Sequence, residues 1–297
     1  MLDSSTTEAQ ESVLTATPKS GSYLLYQLRK SPLTIVGLLV ILTVCTAVAC
    51  ASWIAPYDPD AINLLERLAP PSMSHLFGTD EVGRDLFSRV LYGGQQSIGV
   101  GLFVAFSSGI IGSIIGCFAG ATGGRTDAIV MRLMDVVLSV PSLVLTMALA
   151  AALGPSLFNA MLAITVVRIP FYVRLARGQA LALREMAYVK AAITFGASLR
   201  HIVSWHIARN ALSPLIVQVT LDIGSAILLA AALGFIGLGA QQPTAEWGAM
   251  VATGRNFLLD QWWYAVFPGF AILITAMGFN LLGDGVRDML DPKLKAR

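Results

Sequence analysis

The sequence predicts an all-α membrane protein that crosses the membrane six times. Of its 297 residues, 55% are hydrophobic and 13% are charged, whereas soluble domains carry about twice that charged fraction. Six apolar stretches are long enough to be weighed as spans, since a helix needs about 20 residues to cross the hydrocarbon core. The predicted spans are 33–54, 98–120, 129–152, 156–173, 213–237 and 264–283.

The basic residues predict the orientation of these spans. Cytoplasmic segments of membrane proteins are enriched in lysine and arginine. With a cytoplasmic N-terminus, 14 of the 20 basic residues fall in cytoplasmic segments, and only four fall in the external segments 55–97 and 238–263. Because the number of spans is even, both termini then lie in the cytoplasm. The segment between the fourth and fifth spans, residues 180–212, is predicted to be a cytoplasmic loop.

Composition and motifs exclude several classes of protein. The net charge of +2 is too small to indicate a nucleic-acid binder. The chain contains no Gly-Lys-Ser or Gly-Lys-Thr and therefore no phosphate-binding P-loop, so it does not bind ATP by that route. We expect no cofactor, no metal and no catalytic site, because no Ser/His/Asp arrangement converges. The cysteines lie in apolar runs without a CxxC spacing, which indicates packing residues: Cys45, Cys50 and Cys117.

The first external segment contains a candidate helix. Asp80 is a plausible N-cap, and Glu81 would lie favourably near the positive helix end. Leu86 and Val90 form an apolar stripe at i,i+4 spacing, which predicts a helix lying at the membrane interface.

The same segment holds three carboxylates that could be weighed as a metal or acid/base site: Asp80, Glu81 and Asp85. Adjacent positions point to different faces of a helix, and Arg84 and Arg89 are available to pair with them. A structural role is therefore the favoured interpretation.

The 180–212 loop has the pattern of a docking element. Ala191 and Ala192 precede Gly196, which predicts a short helix, a glycine turn and a second short helix. Small side chains allow a partner backbone to approach closely, and glycine takes the left-handed cap conformation without steric cost. The pattern favours docking of a soluble partner.

Charged residues inside predicted spans are costly and are candidates for function: Arg132, Asp135, Arg168 and Asp222. Arg132 and Asp135 stand at i,i+3 spacing, and we predict that they form an ion pair. A proton-coupled carrier would use such residues as a relay, so an ion-gradient-driven secondary transporter is the alternative function. The chain shows no internal inverted repeat, which disfavours that alternative.

Four blocks resemble the permease subunits of peptide/nickel (DppC/OppC-type) ABC importers. The 180–212 loop resembles the EAA loop by which such permeases engage their ATPase. The other blocks begin at Phe77-Gly-Thr-Asp-Glu-Val-Gly-Arg-Asp-Leu-Phe-Ser-Arg89, at Gly234-Phe-Ile-Gly-Leu-Gly and at Phe267-Pro-Gly, the last running to Pro292. Together they cover the chain from about residue 30, and the sequence looks closest to the D,D-dipeptide (D-alanyl-D-alanine) branch.

The resemblance implies a type I importer permease fold in the bacterial inner membrane. It implies a cytoplasmic tail over 1–30, a first span and periplasmic loop over 31–97, a permease core over 98–285 and a second tail over 286–297. The implied partners are a homologous B-type permease subunit, two cytoplasmic ATPases that bind ATP and Mg, and a periplasmic binding protein. The implied function is the import of dipeptides or short peptides.

The resemblance also implies which residues contact the ATPase: Glu185, Lys190, Ala191, Ala192, Gly196, Ala197 and Ser198. Two features depart from the family pattern. Lys190 stands where the family has the glutamate of the EAA motif, and Ala208-Arg209 replaces a later Leu-Pro. The small residues and Gly196 are kept, so docking by shape is expected to survive.

Overall fold

A computed structural model describes residues 32–290, and every regular element within that range is helical apart from one isolated bridge between Thr79 and Asp85. In chain order the helices are α1 (Pro32–Ala49), α2 (Ala51–Ile54), α3 (Leu86–Thr122), α4 (Gly124–Leu138), α5 (Ser142–Leu153), α6 (Leu157–Arg184), α7 (Ala187–Thr194), α8 (Leu199–His201), α9 (Arg209–Ile236), α10 (Trp247–Gly254) and α11 (Trp263–Leu290). A π-helical turn, Ile202–Ala208, joins α8 to α9 without a break. Single 3₁₀ turns cover Leu64–Glu66 and Arg255–Phe257.

The helices confirm the predicted membrane fold. Five of them are long and apolar enough to cross a membrane: α1, α3, α6, the continuous rod Leu199–Ile236, and α11. The pair α4 and α5 is the sixth candidate if it counts as one span. The predicted tail 1–30 and residues 291–297 of the second tail lie outside the described residues, and residues 286–290 are the last turn of α11.

The predicted third span, 129–152, is not one straight helix. α4 ends at Leu138, α5 begins at Ser142, and the two axes differ by 87°. Pro141 is the physical reason, because proline lacks a backbone donor and disfavours helical geometry at the residue before it. The apolar composition continues through the bend, so hydrophobicity alone does not reveal it.

The predicted interfacial helix near residue 86 is instead the start of the second span. α3 begins at Leu86, not at 98, and runs to Thr122. Its N-cap is Asp85 and not Asp80, since the Asp85 carboxylate accepts a hydrogen bond from the Ser88 backbone N–H at 2.8 Å.

Helices α3 and α6 pack closely because α3 presents glycine at every fourth position: Gly112, Gly116 and Gly120. A Cβ at Gly116 would lie 2.4 Å from the Val173 carbonyl oxygen, and one at Gly120 would lie 2.7 Å from the Ala180 Cβ. Such small-residue stripes let membrane helices approach to backbone contact. Residue numbers rise together along the two helices, so they run parallel.

The packing sorts the loops to two ends of the helix bundle. Residues 55–85 and 238–262, which we call the cap, lie together at one end, where Arg89 donates to the carbonyl oxygens of Pro59 (2.8 Å) and Pro243 (3.1 Å). The 180–212 loop lies at the opposite end. Helix α11 runs antiparallel to α1, with Gly285 against Thr34. The described ends of the chain, Pro32 and Leu290, therefore lie at the same end as the 180–212 loop.

Candidate functional site

The 180–212 loop folds as a helix, a glycine turn and a second helix, as the sequence predicts. Helix α7 ends with Phe195 as its C-cap, and Gly196 has a φ of 81°, in the left-handed region. The Ala197 N–H donates to the Ala192 carbonyl and the Gly196 N–H donates to the Ile193 carbonyl, both at 3.0 Å. This pair of bonds is a Schellman motif, which satisfies the last carbonyls of the helix.

Helix α7 exposes an apolar surface around this turn. The α7 surface consists of Met186, Tyr188, Ala191, Ile193 and Phe195, all of them exposed, and the Phe195 side chain is 90% exposed. Val189, within the same helix, is fully buried and anchors the helix to the bundle. Contiguous exposed apolar groups mark interaction sites.

The predicted contact residues do not all share this exposure. Ala191 is exposed, whereas Ala192 and Ala197 are half-buried at the turn. The exposed Ser198 caps the second helix, with its hydroxyl oxygen 3.4 Å from the His201 backbone nitrogen. Ala192 and Ala197 therefore shape the turn more than they present a surface.

Lys190 forms an ion pair within the loop. Its Nζ lies 2.8 Å from the Glu185 Oε2, and both side chains are largely exposed. The hydrogen bond from Lys190, with its positive charge, lowers the pKa of Glu185. The lysine that departs from the EAA pattern thus has a local acidic partner, which sequence spacing alone did not identify.

The second half of the loop contains an aromatic and imidazole cluster that sequence reasoning missed. The Arg209 guanidinium lies 4.3 Å from the ring centroid of Trp205, and the His206 ring lies 5.9 Å from that of Tyr188 on α7. These residues belong to or adjoin the π-helical turn Ile202–Ala208. Short π-helical segments are frequent at functional sites. The spacing of His201, Trp205 and His206, four and five residues apart, is the sequence feature that could have predicted this cluster, because such residues lie close together on a helix.

Of the four intramembrane charges, Arg168 and Asp222 meet, on α6 and α9. The Arg168 Nη1 lies 3.3 Å from the Asp222 Oδ1, and the Tyr172 hydroxyl donates to the Asp222 Oδ2 at 3.2 Å. Asp222 is 3% exposed. The sequence identified both charges, but not that they would pair.

The predicted ion pair between Arg132 and Asp135 is wrong. Asp135 pairs instead with Arg174 on α6, at 2.7 Å, and no carboxylate of residues 32–290 forms an ion pair with Arg132. The reason is that α4 turns one polar face toward α6. Asp127, on the same face, accepts two hydrogen bonds from Arg177, at 2.5 and 2.7 Å.

The carboxylates of the cap have structural partners. Asp80 accepts from the Arg84 Nε at 2.5 Å, and Asp85 accepts from Ser88 and lies 2.9 Å from the His75 Nδ1. Within residues 32–290 no group of three or more His, Cys, Asp or Glu side chains could hold a metal ion. Arg84 and Arg89 lie beside Asp80 as the sequence predicts, which favours a structural role for these acids.

Glu246 closes the cap against α3 and was missed by sequence reasoning. Its carboxylate accepts from the Gly248 and Ala249 backbone N–H groups at 2.9 and 2.8 Å, and from the Ser97 hydroxyl at 3.0 Å. Burial raises the pKa of this carboxyl above its ordinary value. The sequence feature that could have identified Glu246 as a helix cap is its position immediately before Trp247, the first residue of α10.

Comparison with known families agrees with this arrangement. Residues 112–296 match the family described as binding-protein-dependent transport system inner membrane component. Residues 22–71 match the N-terminal TM domain of oligopeptide transport permease C. The chain belongs to the binding-protein-dependent transport permeases. The resemblance deduced from the four sequence blocks is therefore confirmed.

Individual relatives match along almost the whole permease. The probable D,D-dipeptide transport system permease protein DdpC of Escherichia coli is 67% identical over 274 residues, covering 92% of each chain. The dipeptide transport system permease protein DppC of Alkalihalophilus pseudofirmus is 44% identical over 270 residues, covering 91% of this chain and 89% of the relative. The di/tripeptide permease DppC of Pseudomonas aeruginosa is 44% identical over 265 residues, covering 87% and 88%.

Proposed function

We propose that this permease imports dipeptides or short peptides, D-alanyl-D-alanine among them, across the bacterial inner membrane into the cytoplasm. The substrate class is supported by the relatives, since the three described above are named for D,D-dipeptides, dipeptides and di- or tripeptides. The identity of 67% with the D,D-dipeptide permease favours that branch.

The α7 surface is the observation that carries the proposed mechanism. It presents exposed apolar side chains at the end of a helix whose turn is held by Gly196 in a left-handed conformation. A cytoplasmic ATPase, which itself binds ATP and Mg, would bind to this surface. Because α6 leads into the loop and the rod Leu199–Ile236 leads out of it, a displacement of α7 reaches two membrane helices directly.

The other partners are a second, B-type permease subunit, a second ATPase and a periplasmic binding protein. An apolar groove of about 670 Å³ between α3 and the rod Leu199–Ile236 has the chemistry of a surface for lipid tails or for another membrane helix. The permease itself would be the non-enzymatic part. ATP binding would close the ATPase dimer and open the permease pair outward, and hydrolysis would reset it.

The first experiment changes the turn that carries the α7 surface. Gly196→Val places a β-branched residue at a φ of 81°, a conformation that costs an L-residue roughly 1–2 kcal/mol. Gly196→Asn is the matched control, because asparagine tolerates the left-handed region. We expect Gly196→Val to insert into the membrane but to lose most D-alanyl-D-alanine uptake and ATPase association in proteoliposomes. Gly196→Asn should retain both.

The second variant tests the half-buried turn beside the α7 surface. Ala192→Arg adds a bulky charge at the half-buried end of α7, and we expect it to hold the ATPase away. Lys190→Glu restores the residue usual in the family and leaves the small residues of the turn unchanged, so it should be milder, although it removes the ion pair with Glu185. If Gly196→Val and Ala192→Arg keep full ATPase association and uptake, the loop is not the coupling element. Uptake that survives ATPase inactivation but is abolished by a protonophore would favour the secondary-transporter alternative.

A further inference from the structure

Helices α6 and α9 are joined inside the bundle by Arg168 and Asp222. Within residues 32–290 this is the one ion pair between these two helices, with 3.3 Å between Nη1 and Oδ1. The Tyr172 hydroxyl, one turn further along α6, donates to the second carboxylate oxygen. Tyr172 and Asp222 are almost fully buried, whereas 22% of the Arg168 side chain is exposed.

The pair lies at matching depth on the two helices that flank the 180–212 loop. Arg168 stands 16 positions before the end of α6 at Arg184, and Asp222 stands 13 positions after the start of α9 at Arg209. At 1.5 Å per residue these arms are about 24 and 20 Å long. The ion pair therefore links α6 to α9 near the middle of both helices, well away from the loop.

Apolar packing links the same helices close to the loop. Ala176 and Ala180 of α6 share a buried cluster with Ala211 and Leu215 of α9, and Val189 of α7 belongs to it. The two helices are thus fixed to one another at both ends of the 20 Å arms, by small apolar side chains near the loop and by charges deeper in the bundle.

Stability alone does not explain why α6 and α9 are joined by an ion pair. Charged side chains within a membrane are costly, and replacing a buried ion pair by apolar residues of similar size is often neutral or stabilising. In addition, the Arg168 Nε is buried without a hydrogen-bond partner. A pair that is incompletely satisfied, directional and placed between two particular helices fits a role in setting their relative position.

We propose that Arg168 and Asp222 are positioning residues that fix α6 against α9, so that a displacement of the 180–212 loop reaches both membrane helices as a single movement. Tyr172 orients the carboxylate. The inference rests on the proposed function, because the movement is the one that the ATPases would impose. Loss of the pair should therefore uncouple ATP hydrolysis from uptake.

The decisive variant is the apolar double substitution Arg168→Met/Asp222→Leu in the complete transporter. It leaves no lone charge, so the protein should still assemble. We expect the peptide taken up per ATP hydrolysed to fall roughly two- to thirtyfold, the range that a change in coupling between sites gives. The exchanged pair Arg168→Asp/Asp222→Arg should recover part of that loss.

The matched control is Arg174→Gln/Asp135→Asn, which removes an ion pair from the same helix α6 without touching α9. Its ratio of uptake to hydrolysis should equal that of the wild type. If the apolar double variant also keeps the wild-type ratio, the pair is structural and the inference is wrong. If it does not assemble while the exchanged pair does, the pair serves assembly and the inference is equally wrong. A wild-type complex that takes up no peptide would instead contradict the proposed function.

Discussion

Single polar side chains fix the points at which this chain enters its helices. Asp85 caps α3, Glu246 caps α10, and Ser156 caps α6, each by accepting a hydrogen bond from a backbone N–H in the first turn. Such caps satisfy donors that have no partner within the helix. Asp85 has a second task, since its other oxygen lies 2.9 Å from the His75 Nδ1.

His75 makes the cap sensitive to pH. Its Nε2 lies 3.3 Å from Glu66, and only the doubly protonated ring can donate to both carboxylates. Burial alone would lower the pKa of His75, but the hydrogen bonds to Asp85 and Glu66, and their negative charges, outweigh burial and raise it. A raised pKa means that this stabilisation is fully present below about pH 6.5, the ordinary value, and is lost as pH rises through the folded-state value.

We therefore predict that the cap loosens on going from pH 6 to pH 8. The reaction rate of a cysteine at Ser74 with a thiol reagent is divided by that of a cysteine in an unfolded peptide at the same pH. This ratio should rise roughly fivefold from pH 6 to pH 8, which corresponds to the loss of about 1 kcal/mol, the contribution of one hydrogen bond. In a His75→Gln background that relative rate should not change with pH. An equal pH response in both backgrounds would assign the effect to another group.

Residue-level prediction from sequence worked where the requirement was local. The left-handed Gly196 follows from a glycine after two alanines at the end of a short helix. The partner of Asp135 did not follow, because Arg174 is 39 positions away and reaches it only through the packing of α4 on α6. The same holds for Arg168 and Asp222.

At the scale of elements, the close contact of α3 and α6 depends on glycines, which have no side chain. Gly112, Gly116 and Gly120 leave no room for a side chain against Tyr172, Val173 or Ala180. The contact is thus backbone against backbone, where dispersion forces over many close atoms supply the attraction within a membrane.

We predict that Gly116→Val separates these helices. The added Cβ would overlap the Val173 carbonyl oxygen at 2.4 Å, and overpacking of this kind costs about 1–3 kcal/mol. Gly99→Val is the control, because on the same helix a Cβ there meets nothing within 4 Å. The thermal midpoint of the purified protein should fall in Gly116→Val and stay near wild type in Gly99→Val. Equal midpoints would show that the interface can widen freely.

Element prediction from sequence succeeded for composition and failed for geometry. Hydropathy located every span, since apolar length is a property of the local sequence. It could not place the bend at Pro141 between two apolar segments, nor show that α3 begins at Leu86, because the first turns of α3 are held by contacts with the cap. Trp247, for example, donates from its Nε1 to the Val90 carbonyl at 2.8 Å.

For the molecule as a whole, the sorting of loops to opposite ends makes the orientation testable. Single cysteines at Ser74 and Thr244, both exposed in the cap, should react with a membrane-impermeant thiol reagent in intact cells with a permeabilised outer membrane. The background should lack the native cysteines, Cys45, Cys50 and Cys117.

A cysteine at Thr194, exposed on α7 at the opposite end, is the control for this orientation. It should react only after lysis. Labelling of Thr194 in intact cells, or of the cap positions only after lysis, would reverse the orientation deduced from the basic residues.

The architecture of the whole molecule was predictable because the chain shares it with its family. Four sequence blocks indicated the family, and the family implies the order of spans. The cap was not predictable as a unit: Arg84 reaches Gln242 across 158 positions, and the Tyr264 hydroxyl donates to Glu81 across 183. No local pattern announces contacts between segments that far apart.

Those separations set the order in which the protein can be completed during synthesis. α1 packs along α11, with Gly37 against Leu281, and Glu81 needs Tyr264. When the ribosome has made the first 250 residues, α1 can contact α3, where Gln95 donates to the Val48 carbonyl, but it lacks α11 along most of its length, and Glu81 lacks Tyr264. The packing of α1 and of the cap can therefore be completed only after α11 has been synthesised.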